Sequence, residues 1–126
     1  MVRVLICDDD AVIRTFLRAV LEDGGAAVEE ATDGDECVEA VRRSVPDLLI
    51  LDFMMPKRDG ISALAEIAPE FPDLAVLMVS AYLEDVRDVA EALGARCILK
   101  SDFLANAADL LTEYAGLEPA NGVELV

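Results

Sequence analysis

The chain alternates short, almost continuously apolar runs with longer segments in which apolar residues recur every three or four positions. The runs cover residues 2–7, 27–30, 48–51, 75–79 and 96–99. They are Val-, Leu- and Ile-rich and read as strands, and three of them are nearly free of polar residues, as strands covered by helices on both faces should be. After the first run, residues 11–22 place Ile13, Phe16, Leu17, Val20 and Leu21 on one stripe, and Gly24-Gly25 supplies a stop, so the spacing predicts an amphipathic helix. Residues 35–42 repeat the pattern with Cys37, Val38 and Val41 and are closed by Pro46. Residues 61–68 follow Asp59-Gly60, present Ile61, Leu64 and Ile67, and are expected to halt before Pro69, whose ring and missing N–H oppose a helix. Residues 83–93 carry Val86, Val89, Ala90 and Leu93 and end at Gly94. A last helix is expected over 102–115, with Phe103, Leu104, Ala107, Leu110, Leu111 and Tyr114.

Five strand–helix units in strict succession predict an α/β fold, a single doubly wound domain with a parallel sheet and right-handed crossovers. The unit is expected to occupy residues 1–117, leaving 118–126, with Pro119 and Asn121-Gly122, as a tail or the start of a linker. A length of 126 residues fits one domain. The N-terminal apolar stretch is too short for a signal peptide, and no apolar run approaches the span of a bilayer, so a cytoplasmic location is the default expectation.

Charge narrows the function. With 26 acidic against 10 basic residues the formal charge is −16, which repels nucleic acid and anionic lipid and argues against direct binding to either. The cysteines Cys7, Cys37 and Cys97 lie inside apolar segments with no C-x-x-C spacing, and are expected to be small hydrophobes in a reducing compartment.

The candidate chemistry sits where the strands end. In open α/β sheets ligands bind beyond the carboxyl ends of the strands, where neighbouring connections diverge. The first expected strand ends in Asp8-Asp9, the third in Asp52, the fourth in Ser80 and the fifth in Lys100. Converging carboxylates repel and call for a cation. Oxygen ligands with positions left for water and phosphate suit Mg²⁺ rather than Zn²⁺, and the chain has no histidine. A carboxylate beside such an ion is a competent nucleophile toward phosphorus, with the ion and Lys100 neutralising phosphoryl oxygens and Ser80 donating a hydrogen bond. Ordinary explanations exist for each residue. Asp8, Asp9 and Asp10 also suit the cap of the following helix, and Asp10 is assigned there; Ser80 suits a turn and Lys100 a solvated strand end. Asp52 after four apolar residues is the hardest to explain so, because a buried lone carboxylate is costly.

With these residues in place, the chain resembles the receiver domain of bacterial response regulators. The matching pieces are Leu5-Ile6-Cys7-Asp8-Asp9-Asp10, Asp33-Gly34, the D-x-x-M-P-x-x-D-G segment from Asp52 to Gly60, Val79-Ser80-Ala81, and Gly94-Ala95 leading to Lys100. The resemblance covers residues 2 to about 117. It implies a flavodoxin-like (βα)5 domain of strand order 2-1-3-4-5, with Asp52 as phosphoacceptor, Asp8 and Asp9 as the Mg²⁺-binding pair, and the Met54 backbone carbonyl as a further ligand. It also implies that Ser80 turns toward the phosphoryl group and that Lys100 pairs with it. The implied partners are a sensor histidine kinase or phosphotransfer protein as donor and a downstream protein or output domain as recipient. The recipient would read a change at the surface of the fourth and fifth helices and fifth strand, which is also the face implied for a homodimer. The chain would then be no turnover enzyme, acting only on its own aspartate.

Two positions depart from the family pattern. Ser101 stands where family members usually have a proline, commonly after a cis bond; for a non-proline residue that bond costs about 2.5–4 kcal/mol, so a trans bond is expected. Cys97 replaces the usual aromatic residue whose rotamer reports phosphorylation, and Tyr82, two residues after Ser80, is a candidate substitute, with an ordinary exposed loop tyrosine as the alternative. These departures keep open an interaction module of the same fold that works without phosphorylation. A flavodoxin-like electron carrier or a phosphohydrolase is disfavoured by the lack of a Gly-rich phosphate loop, of G-x-G-x-x-G and of histidine.

Overall fold

Alternation of apolar side chains along the strands sends consecutive residues to opposite faces, and the two faces acquire separate cores. The structure, a computed structural model, describes residues 1–115 apart from the side chains of Leu83, Asp85, Tyr114 and Ala115. The expected domain end at 117 and the tail at 118–126 lie outside the described residues. Strands β1 (Arg3–Cys7), β2 (Ala27–Ala31), β3 (Leu48–Asp52), β4 (Ala75–Ser80) and β5 (Arg96–Leu99) form one parallel sheet of order β2-β1-β3-β4-β5. The helices between and after them are α1 (Ala11–Asp23), α2 (Gly34–Arg43), α3 (Gly60–Glu70), α4 (Leu83–Ala92), α5 (Lys100–Ala105) and α6 (Ala107–Ala115).

On one face Leu5, Leu49, Leu51 and Met78 pack with Val38 and Val41 of α2, Leu64 and Ile67 of α3, and Ala90 of α4. On the other, Val4, Ile6, Ile50 and Leu77 pack with Leu17 and Leu21 of α1 and with Phe103, Ala107 and Leu111. Both faces of β3 are therefore buried along its whole length, which explains its unbroken apolar run.

The structure differs from the sequence expectations at two helix ends and at two apolar side chains. Helix α3 runs through Pro69 to Glu70. Proline there forfeits one bond, to the Ala65 carbonyl, in the last turn; both residues are exposed, so water replaces it, and the Phe71 N–H still reaches the Ile67 carbonyl at 3.0 Å. The last helix begins two residues early and breaks at Asn106, which has φ −126° and donates from its own Nδ2 to the Asp102 carbonyl at 3.0 Å. Phe103, Ala107 and Leu111 share one core cluster across the break. Phe16 is left 44% exposed, because it lies about 100° around α1 from Leu17, at the edge of the buried stripe, and Val89, expected on the stripe of α4, is likewise left 49% exposed beside buried Ala90.

Local caps fix the helix starts. The Asp10, Asp33 and Asp59 carboxylates accept from the Val12, Glu36 and Ser62 N–H groups at 2.9, 2.9 and 2.7 Å. Asp59→Ala is expected to lower unfolding free energy by about 1 kcal/mol, measurable by urea denaturation; an unchanged midpoint would show that the α3 cap contributes nothing.

Candidate functional site

In the register of β1 and β3, Cys7 lies opposite Leu51, so Asp8 and Asp52 leave the sheet as neighbours. Here the chain from β1 turns toward β2 and the chain from β3 toward β4, opening a crevice between diverging connections. Asp8, Asp9 and Asp52 each offer a carboxylate oxygen within 4.8 Å of those of the other two. Asp8 and Asp52 are only 4% exposed, whereas Asp9 faces solvent, so the cluster is able to hold a metal ion that keeps part of its water.

Lys100, the first residue of α5, lies across the crevice with Nζ 3.1 Å from Asp8 Oδ2 and 3.3 Å from Asp52 Oδ2. One ammonium does not balance the group. Burial first, and the Asp8 charge second, push the Asp52 carboxyl up to about 6 against the pull of Lys100. Burial works against the Lys100 charge, but Asp52 and Asp8 outweigh it and its pKa is raised.

Ser80, 1% exposed at the end of β4, accepts the Tyr82 N–H on its Oγ at 3.0 Å. Its hydroxyl thus braces the turn into α4, the ordinary role weighed for it, while standing at the same carboxyl edge as Asp52. Met54 follows in the loop after β3, with its side chain 62% exposed. Asp10 caps α1 as expected, and its N–H donates to Asp8 Oδ1 at 2.8 Å.

A residue without a sequence signal also serves the site. Arg14 Nη1 donates to the Asp8 carbonyl at 2.7 Å while its Nε donates to Glu30 Oε1 at 2.9 Å, tying the turn after β1 to β2. On the sequence Arg14 is simply a polar position of an amphipathic helix.

The departures at 97 and 101 also take definite form. The Lys100–Ser101 bond is trans, there being no cis peptide among the described residues. A proline at 101 would disfavour helical geometry at Lys100, whereas with serine the helix starts at the lysine itself. Cys97 is half-buried and Tyr82 exposed, and Cys7, Cys37 and Cys97 are all free thiols. Burial raises the pKa of the Cys7 and Cys97 thiols, as for unreactive hydrophobes.

Two buried carboxylates and a lysine meeting at the crevice of a 2-1-3-4-5 sheet invite comparison with known proteins. A profile of the response regulator receiver domain matches residues 4–111. The chain belongs to this family. Among curated relatives, the transcriptional regulatory protein PdtaR of Mycobacterium tuberculosis is 41% identical over 102 residues, covering 80% of this chain and 50% of that protein. Response regulator MprA of Mycobacterium leprae is 42% identical over 79 residues, covering 63% of this chain and 35% of that protein. The chain therefore spans half or less of the length of these relatives. Of solved structures, the response regulator domain of Thermotoga maritima CheB superposes with a TM-score of 0.82 at 30% identity, over 99% of both chains. A chain of the CheX–CheY–BeF3–Mg²⁺ complex from Borrelia burgdorferi gives a TM-score of 0.74 at 28% identity, over 87% of this chain and 89% of that one. As a receiver domain the chain is part of two-component signalling. Among the described residues no helix is long and apolar enough to cross a membrane.

Proposed function

We propose that Asp52 is the phosphoacceptor of this receiver domain, taking a phosphoryl group from the phosphohistidine of a sensor histidine kinase or phosphotransfer protein. The observation that carries it is a carboxylate 4% exposed, with two other carboxylates within 4.8 Å and one lysine beside it. An interaction module that never carried phosphate would gain nothing from so costly a cluster.

The all-oxygen donor set, open to water on the Asp9 side, fits Mg²⁺, held by Asp8, Asp9, Asp52 and the Met54 carbonyl. When bound, the ion neutralises charge on the transferring phosphoryl oxygens. An Asp52 oxygen attacks phosphorus, the O–P bond forms as the N–P bond of the donor breaks, and the histidine nitrogen leaves with its electron pair. Lys100 then shifts from the carboxylate to a phosphoryl oxygen, and the Ser80 hydroxyl turns from the Tyr82 N–H toward the same group. Release of that N–H frees the turn into α4, so the change is read at the face of α4, β5 and the α5–α6 pair by a downstream protein, an output domain or a second copy. The chain acts on its own Asp52 rather than turning over substrate, and works in the cytoplasm with its donor. We assign the receiver unit to residues 1–117.

Incubation of the protein with Mg²⁺ and a small phosphodonor is expected to add a single phosphate by intact mass, mapped to Asp52 by peptide mass, and a chelator is expected to prevent it. An adduct mapping elsewhere, or one indifferent to chelation, would sink the assignment.

A further inference from the structure

The loop from Asp52 to Gly60 is gripped from outside the site by the start of α2. Gly34, the first residue of α2, is buried, and a Cβ there would lie 2.3 Å from the Arg58 carbonyl oxygen and 2.7 Å from Arg58 Cβ. At the loop's end, a Cβ on Gly60 would lie 2.4 Å from the Asp52 carbonyl oxygen. Between these close approaches Lys57 adopts φ 66°, a conformation lysine rarely takes. Its Nζ is 3.5 Å from Asp33 Oδ2, and Asp33 is itself held by the Glu36 N–H on its other oxygen. Arg58 adds ion pairs to Asp35 at 3.5 Å and Glu66 at 3.0 Å. The same corner reaches the acidic pair, because the Asp8 N–H donates to the Ala31 carbonyl at 3.1 Å, two residues before Asp33.

We propose that Gly34 and Asp33 are positioning residues, setting the path of the loop so that the Met54 carbonyl meets the ion; this rests on the metal site proposed above. A backbone carbonyl has no rotamer with which to adjust, so its place is decided by where the loop runs. The contacts that fix the outer side of the loop come from the first residues of α2. Gly34 lets the Arg58 carbonyl come close, and the charge of Asp33 keeps Lys57 in its left-handed turn. Neither residue touches the ion.

The test is calorimetric titration of the full chain with Mg²⁺, alongside hydrogen exchange of the metal-free protein. Gly34→Ala is expected to weaken binding about tenfold or more, the usual cost of disturbing groups behind metal ligands, and to speed exchange of the Arg58 and Gly60 amides. Gly25→Ala is the control: φ at Gly25 is 93° and nothing lies within 4 Å of its added Cβ, so it loses stability through the backbone but leaves affinity unchanged. A folded Gly34→Ala protein with the affinity of Gly25→Ala overturns the inference. If wild type fails to bind Mg²⁺, the metal site itself is overturned. Should Gly34→Ala not fold, Asp33→Asn replaces it, since the amide still accepts the Glu36 N–H but no longer attracts Lys57. It is expected to bind more weakly than Glu39→Gln, which removes an equal charge from the exposed side of α2 away from the loop, and equal affinities for that pair overturn the inference.

Discussion

Asp52→Asn is expected to remove the phosphate adduct completely and, without metal, to make the protein more stable than wild type at neutral pH. The first effect follows from the loss of the attacking oxygen's charge. The second follows from the Asp52 carboxyl standing at about 6 in the folded protein, raised by burial and then by Asp8. An unfolded aspartate releases its proton near pH 4. Between those values the folded state holds a proton that the unfolded state has lost, so stability falls as pH rises through this window and stays lower above it. A shift of two pKa units, with the pull of Lys100 already included, corresponds to about 3 kcal/mol; screening by water on the Asp9 side leaves a gain of about 2 kcal/mol for the variant above pH 7. The difference is expected to shrink toward zero near pH 4, and Mg²⁺ is expected to reverse it by stabilising wild type more than the variant at pH 7.5. Paired urea titrations at the two pH values, with and without Mg²⁺, measure all of this. A wild type more stable than Asp52→Asn at neutral pH in chelator would mean that Lys100 balances the site by itself.

The features of the site readable from sequence were those tied to strand ends. An apolar run stopping at a carboxylate is visible in one dimension, and the pairing of Cys7 with Leu51 brings Asp8 and Asp52 together once β1 and β3 are neighbours. The strand order came from the family resemblance, since alternation alone fixes only that the sheet is parallel. What escaped detection depends on contacts between residues far apart in the chain. Arg14 on the Asp8 carbonyl, Gly34 beneath the Arg58 carbonyl and the left-handed Lys57 carry no periodic signal. Helix ends were misplaced where propensity was overruled: Pro69 sits in a solvent-facing last turn, and Asn106 breaks a helix whose apolar spacing continues across it. Phe16 shows the limit of periodicity, which places a residue near the stripe but does not say how far the neighbouring elements reach.

Lys100→Met is expected to slow phosphorylation of Asp52 by a factor of about 10² to 10³ while leaving Mg²⁺ binding as tight as in wild type or tighter. The two effects separate because the ammonium plays opposite parts in them. Before reaction it lies 3.1 and 3.3 Å from oxygens of Asp8 and Asp52, two of the carboxylates proposed to hold the ion, and so competes with it. During transfer, negative charge arrives beside Asp52, and Lys100, 3.3 Å from its carboxylate, is close enough to follow it. Methionine keeps the length and apolar character of the stem beside Phe103 and Leu104, so the start of α5 need not move. It leaves Asp8 and Asp52 without their counter-ion, so the metal-free variant should hold its Asp52 proton to higher pH than wild type, and the gain in stability on adding Mg²⁺ should be larger. Rapid mixing with phosphodonor at saturating Mg²⁺ gives the rate, and calorimetry gives the affinity. A variant that phosphorylates at the wild-type rate but binds Mg²⁺ poorly would make Lys100 a structural support for the carboxylates rather than the partner of the phosphoryl group.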